Sequence, residues 1–532
     1  MSKLSVEPHE YDAMPTIAEA ARYHGRGRPN QIALTFEGRD TTYADLDRQS
    51  NQVANGLIAA GVGVGECAAY LGKNSDRYFE IFFGAGKARA IMAPVGWRLS
   101  PAEAAYIIGN CEAKILFVGD ECIEQVEAVL QHLPKAPKVV AMQPGAHGLP
   151  VYEAWRDAQS DADPERGDKD DDVVLLLYTS GTTGKPKGVM LTNNNLMRSR
   201  KQPDKLGWNE WHAGESNFIA MPIAHIGGTG GGFAGMVNGV RNIIAREFNP
   251  LEVLHHIEHD RVGKMFMVPA ALQFIVRMPQ AREVDYSNLR VVLYGASPIP
   301  AALLRECIEV FGCGFCQQYG MTETTGTIVY LLPEDHDPKG NRRMAAAGLP
   351  LPGVEIRIID GEGNVLGPNQ TGEISTRSVA NMKGYWRNPE ATAATVADDG
   401  WLRTGDAGYI DEDGYLYIQD RIKDMIITGA ENVYPAEVES ALHEHPGVAE
   451  AAVIGIPDEI WGEAVKAIVV LKPDQQLSEA ELIKFARERI AHYKAPKSIE
   501  FLGQPLPRSP SGKILRRELR EPFWAGRERR VN

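Results

Sequence analysis

Residues 173–188 read Val-Val-Leu-Leu-Leu-Tyr-Thr-Ser-Gly-Thr-Thr-Gly-Lys-Pro-Lys-Gly. An apolar run of about six residues is the size of a buried strand. The stretch that follows is a loop with one purpose. Gly181, Gly184 and Gly188 let the backbone turn and bring N–H groups towards one point. The hydroxyls of Thr179, Ser180, Thr182 and Thr183, with the ammonium groups of Lys185 and Lys187, add donors and mobile charge. That combination suits a polyphosphate. The spacing is not that of a Walker A loop, whose lysine is followed by Ser or Thr where Pro186 stands here.

Outward from this loop the pattern alternates. Apolar runs at 217–222, 264–268, 290–294 and 314–318 are separated by helix-period stretches, one from residue 234 onward. Asn249-Pro250 opens one helix as cap and first residue, and Pro269 and Pro300 open two more. Strand–helix alternation predicts a mostly parallel sheet covered on both faces. Residues 30–150 repeat the pattern, with a helix starting at Thr42 and strands in ECAAYLG and AKILFVG, so two α/β lobes are expected. From about residue 350, alternation at 354–359, 372–376 and 408–419, with the turn pair Asp413-Gly414, predicts a small antiparallel, β-barrel-like subdomain. After the polar run Asp420-Arg421-Ile422-Lys423-Asp424 the chain reads as a short α+β unit.

Composition bounds the function. The 532 residues suffice for a large body and an appendage, and 44% are hydrophobic. The formal net charge of −14 disfavours general nucleic-acid binding, so an anionic ligand needs a locally built pocket. There is no apolar run of the ~20 residues that span a bilayer. The first sixteen residues lack the apolar core of a secretory signal, and six cysteines form no disulfide framework. A soluble cytoplasmic protein is expected. Cys313 and Cys316 form a C-x-x-C, but no second pair completes a zinc site.

Further motifs stand in order along the chain: Gln318-Tyr-Gly-Met-Thr-Glu-Thr324, Gly384-Tyr385-Trp386, Trp401-Leu-Arg-Thr-Gly-Asp406, residues 421–437 and Pro507-Arg-Ser-Pro-Ser-Gly-Lys-Ile514. With the loop at 178–188 they resemble the adenylate-forming superfamily, in particular AMP-forming acyl-CoA synthetases of the fatty-acid–CoA ligase kind. The resemblance covers nearly the whole chain. It implies an N-terminal AMP-binding domain over 1–420, a hinge at 421–424 and a mobile C-terminal domain over 425–532. It also implies ATP, CoA and a carboxylic acid as substrates, Mg2+ with the ATP, and a homodimer.

Residue by residue, the resemblance puts Thr179 and Glu323 at the magnesium. Ser180, Gly181, Thr182, Thr183, Gly184 and Lys187 hold the phosphates. Gly295, Ala296 and Ser297 with Gln318, Tyr319, Gly320, Met321 and Thr322 enclose the adenine, and Gly295 and Gly320 also floor the acyl pocket. Asp406 and Arg421 take the ribose, Asn432 and Lys423 lie near the nucleotide, and Lys513 stabilises the transition state. Lys423 is the hinge residue, while Gly429, Ala430 and Glu431 line a CoA channel. His225 in Met221-Pro-Ile-Ala-His225 borders the acyl carboxylate. Ala224 stands where the family carries an aromatic residue, and Gly227, Gly228 and Gly230 are expected to leave volume for the acyl tail. These departures favour a medium- or long-chain fatty acid. An aryl, phenylpropenoid or alicyclic acid, transfer to a separate carrier protein, and a non-catalytic nucleotide sensor are the alternatives.

Two features are discounted. His255, His256 and His259 have metal-compatible spacing on a helix, but no carboxylate partner is evident and they lie on its polar face. The arginine-rich residues 516–530 read as a solvated end.

Overall fold

The computed structural model describes residues 10–143, 148–179, 185–198, 209–428, 431–508 and 513–525. Among these, two large sheets make an N-terminal body, a four-stranded sheet follows, and a five-stranded sheet forms the core of a smaller C-terminal α+β unit.

The first sheet runs, edge to edge, through Gly384–Tyr385, Lys187–Thr192, Val173–Thr179, Ile91–Val95, Cys67–Leu71, Ile115–Val118 and Lys138–Ala141. Its five interior and far-edge strands from Val173–Thr179 onward pair in parallel. Cys67–Leu71, Ile91–Val95 and Ile115–Val118 are buried along their whole length, as strands covered on both faces must be. The second sheet has nine strands, from Leu349–Pro350 through Gly326–Leu331, Gly314–Met321, Val291–Gly295, Val262–Met267, Ser216–Ile219, Arg241–Ile244 and Ile32–Phe36 to Arg39–Thr42.

The two expected lobes exist, but their sequence boundaries are interleaved. Ile32–Phe36 joins the second sheet beside Arg241–Ile244, and Val173–Thr179 joins the first beside Ile91–Val95. An apolar run carries its period and its burial, not the identity of its partner. The lobes are sewn together by helix Asp76–Ala88, whose Phe82 and Phe83 meet Phe233 at ring-centroid distances of 5.9 and 6.2 Å.

Phe233 lies on helix Ile226–Val237, which starts eight residues before the expected position and contains the glycine run. Glycine costs a helix about 1 kcal/mol per residue. Close packing offsets that cost here. A Cβ on Gly228 would sit 2.3 Å from the Pro222 carbonyl oxygen, and one on Gly232 would sit 2.5 Å from the Phe79 ring. These two glycines seat the helix on the core rather than leave volume beside it. Around Gly231 the space is open.

The antiparallel subdomain pairs Glu355–Ile359, Gly372–Arg377, Leu402–Ile410 and Leu416–Arg421 in order. A short turn of helix, Ile422–Asp424, leads into strand Ile426–Thr428 of the C-terminal sheet. That sheet is built on the long hairpin Val448–Asp458 and Gly462–Leu471, with Ser498–Leu502 added in parallel. Helices Pro435–His443 and Glu479–Arg487 cover it.

The arginine-rich tail begins as a helix, Arg516–Trp524, and is docked rather than solvated. Trp524 Nε1 donates to the Gly455 carbonyl at 2.9 Å, and Arg516 pairs with Glu439 at 2.7 Å. Residues 526–530 lie outside the described residues. His256 also has carboxylate partners. Its Nδ1 lies 2.8 Å from Asp260 and its Nε2 3.8 Å from Glu252, both one helical turn away. No group of three or more metal-ligating side chains occurs among the described residues. Nor is any described helix long and apolar enough to cross a membrane. Cys313 and Cys316 are free thiols, and burial pushes Cys313 up to about 12.

Candidate active site

The C-terminal ends of parallel strands converge where the N-terminal body meets the C-terminal unit, the usual place for a ligand in an α/β sheet. Thr179 ends its strand there and Lys187 is paired with it across the hairpin. Ser180, Gly181, Thr182, Thr183 and Gly184 lie outside the described residues, as do Gly429 and Ala430.

Strand Gly314–Met321 ends in a single turn, Thr322–Thr324, that presents Glu323. The Thr324 hydroxyl accepts from Met321 N–H at 3.0 Å and closes that turn. Glu323 is only 6% exposed. Its Oε1 accepts from the Tyr385 hydroxyl at 2.9 Å and from the Thr179 hydroxyl at 3.4 Å. The Lys187 ammonium stands 4.8 Å from the centre of the Tyr385 ring. Thus one short strand, Gly384–Tyr385, ties the hairpin of Val173–Thr179 and Lys187–Thr192 to the glutamate.

Gly295 and Gln318 are partners in neighbouring parallel strands. A Cβ on Gly295 would come within 2.1 Å of the Gln318 carbonyl oxygen, and one on Gly320 within 1.9 Å of that of Gly326. Both positions therefore require glycine. Beyond Gly295 the backbone turns through Ala296 at a φ of 67°, a left-handed conformation that L-residues rarely adopt, before Ser297.

Asp406 and Arg421 face each other in register on adjacent strands. Arg421 Nε donates to Asp406 Oδ1 at 2.7 Å, and the Tyr319 hydroxyl donates to Oδ2 at 2.8 Å. Burial, followed by the charge of Asp406, pushes the Tyr319 hydroxyl well above its ordinary range. For Arg421, burial opposes the charge but Asp406, Tyr319, Glu323 and Asp424 outweigh it.

Lys513 enters from the C-terminal unit. Its ammonium is crowded by protein, which lowers its pKa, and Arg421 and Lys423 lower it further. Asp406 and Glu323 pull the other way. Lys423 is lowered by burial and by Arg421 and Arg520, against Asp424 and Asp406. His225, immediately before helix Ile226–Val237, is pushed down to about 4 by burial and then by Lys513 and Arg98. It is a neutral imidazole at pH 7.

Thr179, Glu323, Asp406, Arg421, Lys423, His225 and Lys513 therefore form one electrostatic neighbourhood. Ala224 is half-buried beside His225, and a Cβ on Gly227 would stand 3.0 Å from the Phe266 ring. Glu431 and Asn432 are exposed on the hairpin with Ile426–Thr428, and Asn432 is paired with Ile427. Neither is hydrogen-bonded to that neighbourhood among the described residues. No individual role follows from sequence for Tyr385 or Arg98. The motif Gly384-Tyr385-Trp386 was a signal for the first; nothing signalled the second. An open cleft of about 550 Å³ between Phe36, Arg39, Arg77 and Arg246 lies elsewhere. Arg39 there is neutralised by Asp76 and Arg246 by Glu37.

The family model of the AMP-binding enzymes matches residues 21–386, and that of their C-terminal domain matches 437–513. The chain belongs to the AMP-binding enzymes. It is an AMP-forming acid ligase of the adenylate-forming superfamily. It is 42% identical over 522 residues to the fatty acid–[acyl-carrier-protein] ligase ScoC of Streptomyces coeruleorubidus, covering 98% of each chain. A feruloyl-CoA synthase of an Amycolatopsis species is 38% identical over 499 residues, 94% of the ligase and 97% of that protein. The crystal structure of the anthranilate CoA ligase AuaEII in complex with anthranoyl-AMP matches the ligase with a TM-score of 0.87 at 29% identity, over 96% of this chain and 97% of that one.

Proposed function

We propose that the ligase activates a medium- or long-chain fatty acid with ATP and transfers the acyl group to the thiol of CoA. The observation that carries this is the gathering of Thr179, Glu323, Asp406, Arg421 and Lys513, from motifs far apart in sequence, into one neighbourhood. In the first step a carboxylate oxygen attacks the α-phosphorus of ATP. The bond to the leaving oxygen breaks, pyrophosphate departs and acyl-AMP remains. In the second, the CoA sulfur attacks the acyl carbon, the thiol proton is lost and AMP leaves. No side chain becomes covalently attached, so the protein contributes position and charge.

Ser180, Thr182, Thr183 and Lys187 are assigned to the β- and γ-phosphates. Gly295–Ser297 and Gln318–Thr322 enclose the adenine. Asp406 accepts from the ribose hydroxyls, oriented by Arg421 and Tyr319. Thr179 and Glu323 supply two oxygen donors 3.4 Å apart, which fit a hard divalent cation. Magnesium held by these two residues would supply positive charge to neutralise the polyphosphate. Lys513 reaches the α-phosphate and the acid's carboxylate as charge builds up between them. Neutral His225 borders that carboxylate without repelling Lys513. Residues 425–532 swing about 421–424 between the steps, bringing Gly429, Ala430 and Glu431 to the thiol.

The small Ala224, and the fatty acid in the name of the 42%-identical relative, support a fatty acid. That name also supports a second acceptor, the phosphopantetheine arm of a separate carrier protein. Pyrophosphate release is measured with acetate, butyrate, octanoate, palmitate, ferulate and indoleacetate, each with CoA, with a phosphopantetheinylated carrier protein, or with no thiol. Preference for octanoate or palmitate with turnover on CoA is expected. A preference for ferulate overturns the fatty-acid assignment, and turnover on the carrier alone overturns CoA.

A further inference from the structure

Asp420 makes a buried contact between the two units. It is the next-to-last residue of strand Leu416–Arg421 on the N-terminal side and is buried, its side chain 4% exposed. Its Oδ1 accepts from Arg421 N–H at 2.7 Å. Its Oδ2 accepts from Ala436 N–H at 2.8 Å, in the first turn of helix Pro435–His443. First-turn N–H groups have no partner inside their helix and are normally satisfied by the side chain at the N-cap. The N-cap here is Tyr434, whose side chain makes no cap bond. The cap of this C-terminal helix is thus supplied across the boundary.

The same carboxylate lies 3.9 Å from Arg516 Nη1. Arg516 is clamped to Glu439 by bonds of 3.1, 2.9 and 2.7 Å, and Glu439 in turn accepts from Val453 N–H at 2.8 Å. Arg516 begins the last described helix and stands three residues after Lys513. One turn on, Arg520 lies 3.9 Å from Asp424. Burial raises the Asp420 carboxyl to about 6 although Arg516 pulls it down, so the contact is kept against a desolvation cost.

We infer that Asp420 is a positioning residue, a latch that holds the C-terminal unit in the arrangement presenting Lys513 to Glu323 and Asp406. This rests on the two-step function proposed above. The latch favours the adenylating arrangement and must open before the unit can swing to the thiol. Removing it shifts the balance towards the second step.

The test uses the full-length ligase, wild type, Asp420→Ala and Asp420→Asn, with Arg516→Gln as the variant from the other side of the contact. Three quantities are read: ATP–pyrophosphate exchange with the preferred acid, thioester formation from synthetic acyl-AMP and CoA, and small-angle X-ray scattering without ligands. Asp420→Ala and Arg516→Gln should slow exchange about fivefold, the size of one lost cap in an equilibrium. Thioester formation should be unchanged or faster, and scattering should show a shift to a more open shape. Asp420→Asn, which keeps an acceptor for Ala436 but loses the charge, should fall between. Equal loss of both half-reactions, or scattering and exchange identical to wild type, overturns the latch. A wild type that exchanges no pyrophosphate with any acid overturns the proposed function instead, and scattering alone then decides whether Asp420 holds the two units together.

Discussion

In the N-terminal body, the two carboxylates of the site are already engaged: Glu323 by Tyr385 and Thr179, Asp406 by Tyr319 and Arg421. In the C-terminal unit, the contribution is one ammonium, Lys513, whose nearest charges include Arg421 and Lys423 of its own sign. The body's two carboxylates are buried and bonded, Asp406 on a strand and Glu323 on the turn that ends one. The unit's group is carried in on a segment held by a few ionic contacts. A rigid half can preorganise charge at no cost when reaction occurs. On the proposed two-step reading this unit moves between steps, so its contacts must be able to break, and Lys513 sits among charges of both signs.

Lys513→Ala breaks the C-terminal side of this contrast and should have the largest effect. The side chain is proposed to act where charge develops, so kcat for adenylation should fall by about 10²–10³ with little change in ATP affinity. Thioester formation from synthetic acyl-AMP should survive. Equal loss in both half-reactions would show that Lys513 does not belong to one step.

Acid should separate the two regions through their buried histidines. His24, in the body, is 1% exposed, bonded through Nε2 to the Val237 carbonyl at 2.9 Å, and burial pushes it down to about 4. In the unfolded chain it titrates near 6.5, so unfolding takes up a proton as the pH falls below that value. Its contribution is complete above about 6.5 and is lost towards 4, at about 1.4 kcal/mol per pH unit. His225 acts with the same sign. His443 of the C-terminal unit is also lowered by burial, but Glu439 and Glu450 oppose the shift. Urea unfolding of the body should therefore weaken between pH 7 and 5, and His24→Gln should remove about 2 kcal/mol of that loss. An unchanged pH slope in the variant would show that His24 is not the acid-sensitive group.

Much of this was legible before any coordinates. The strand at 173–179, the helices opened by Asn249-Pro250 and Pro269, and the α+β character after Asp424 follow from apolar period and capping residues. Pairing was not legible. Nothing local in Ile32–Phe36 says that it lies beside Arg241–Ile244, because parallel partners are chosen by global packing. The glycine helix was misplaced for a related reason. Propensity argues against it, and only the approach of Pro222 and Phe79 explains it. Among the candidate site residues, those in motifs carry a local signature. The bonds that orient them, Tyr319 to Asp406 and Tyr385 to Glu323, join residues 87 and 62 positions apart and have no local signature.

Tyr385→Phe probes the fixed side with the smallest expected effect. The change removes only the hydroxyl that donates to Glu323 at 2.9 Å. The ring stays buried, with the Lys187 ammonium over it. A hydrogen bond to a charged group contributes about 1.5–3 kcal/mol, and Thr179 still donates to the same carboxylate oxygen, so the lower end applies. Loss of about 1.4 kcal/mol is tenfold in rate. Adenylation should slow about tenfold, because Glu323 can then turn away from the position proposed for the cation. The apparent KM for magnesium should rise with it. Thioester formation from acyl-AMP needs no pyrophosphate oxygens and should be unaffected. If adenylation is unchanged, Glu323 is oriented by the turn at 322–324 alone, and the body's preorganisation resides in backbone rather than in side-chain bonds.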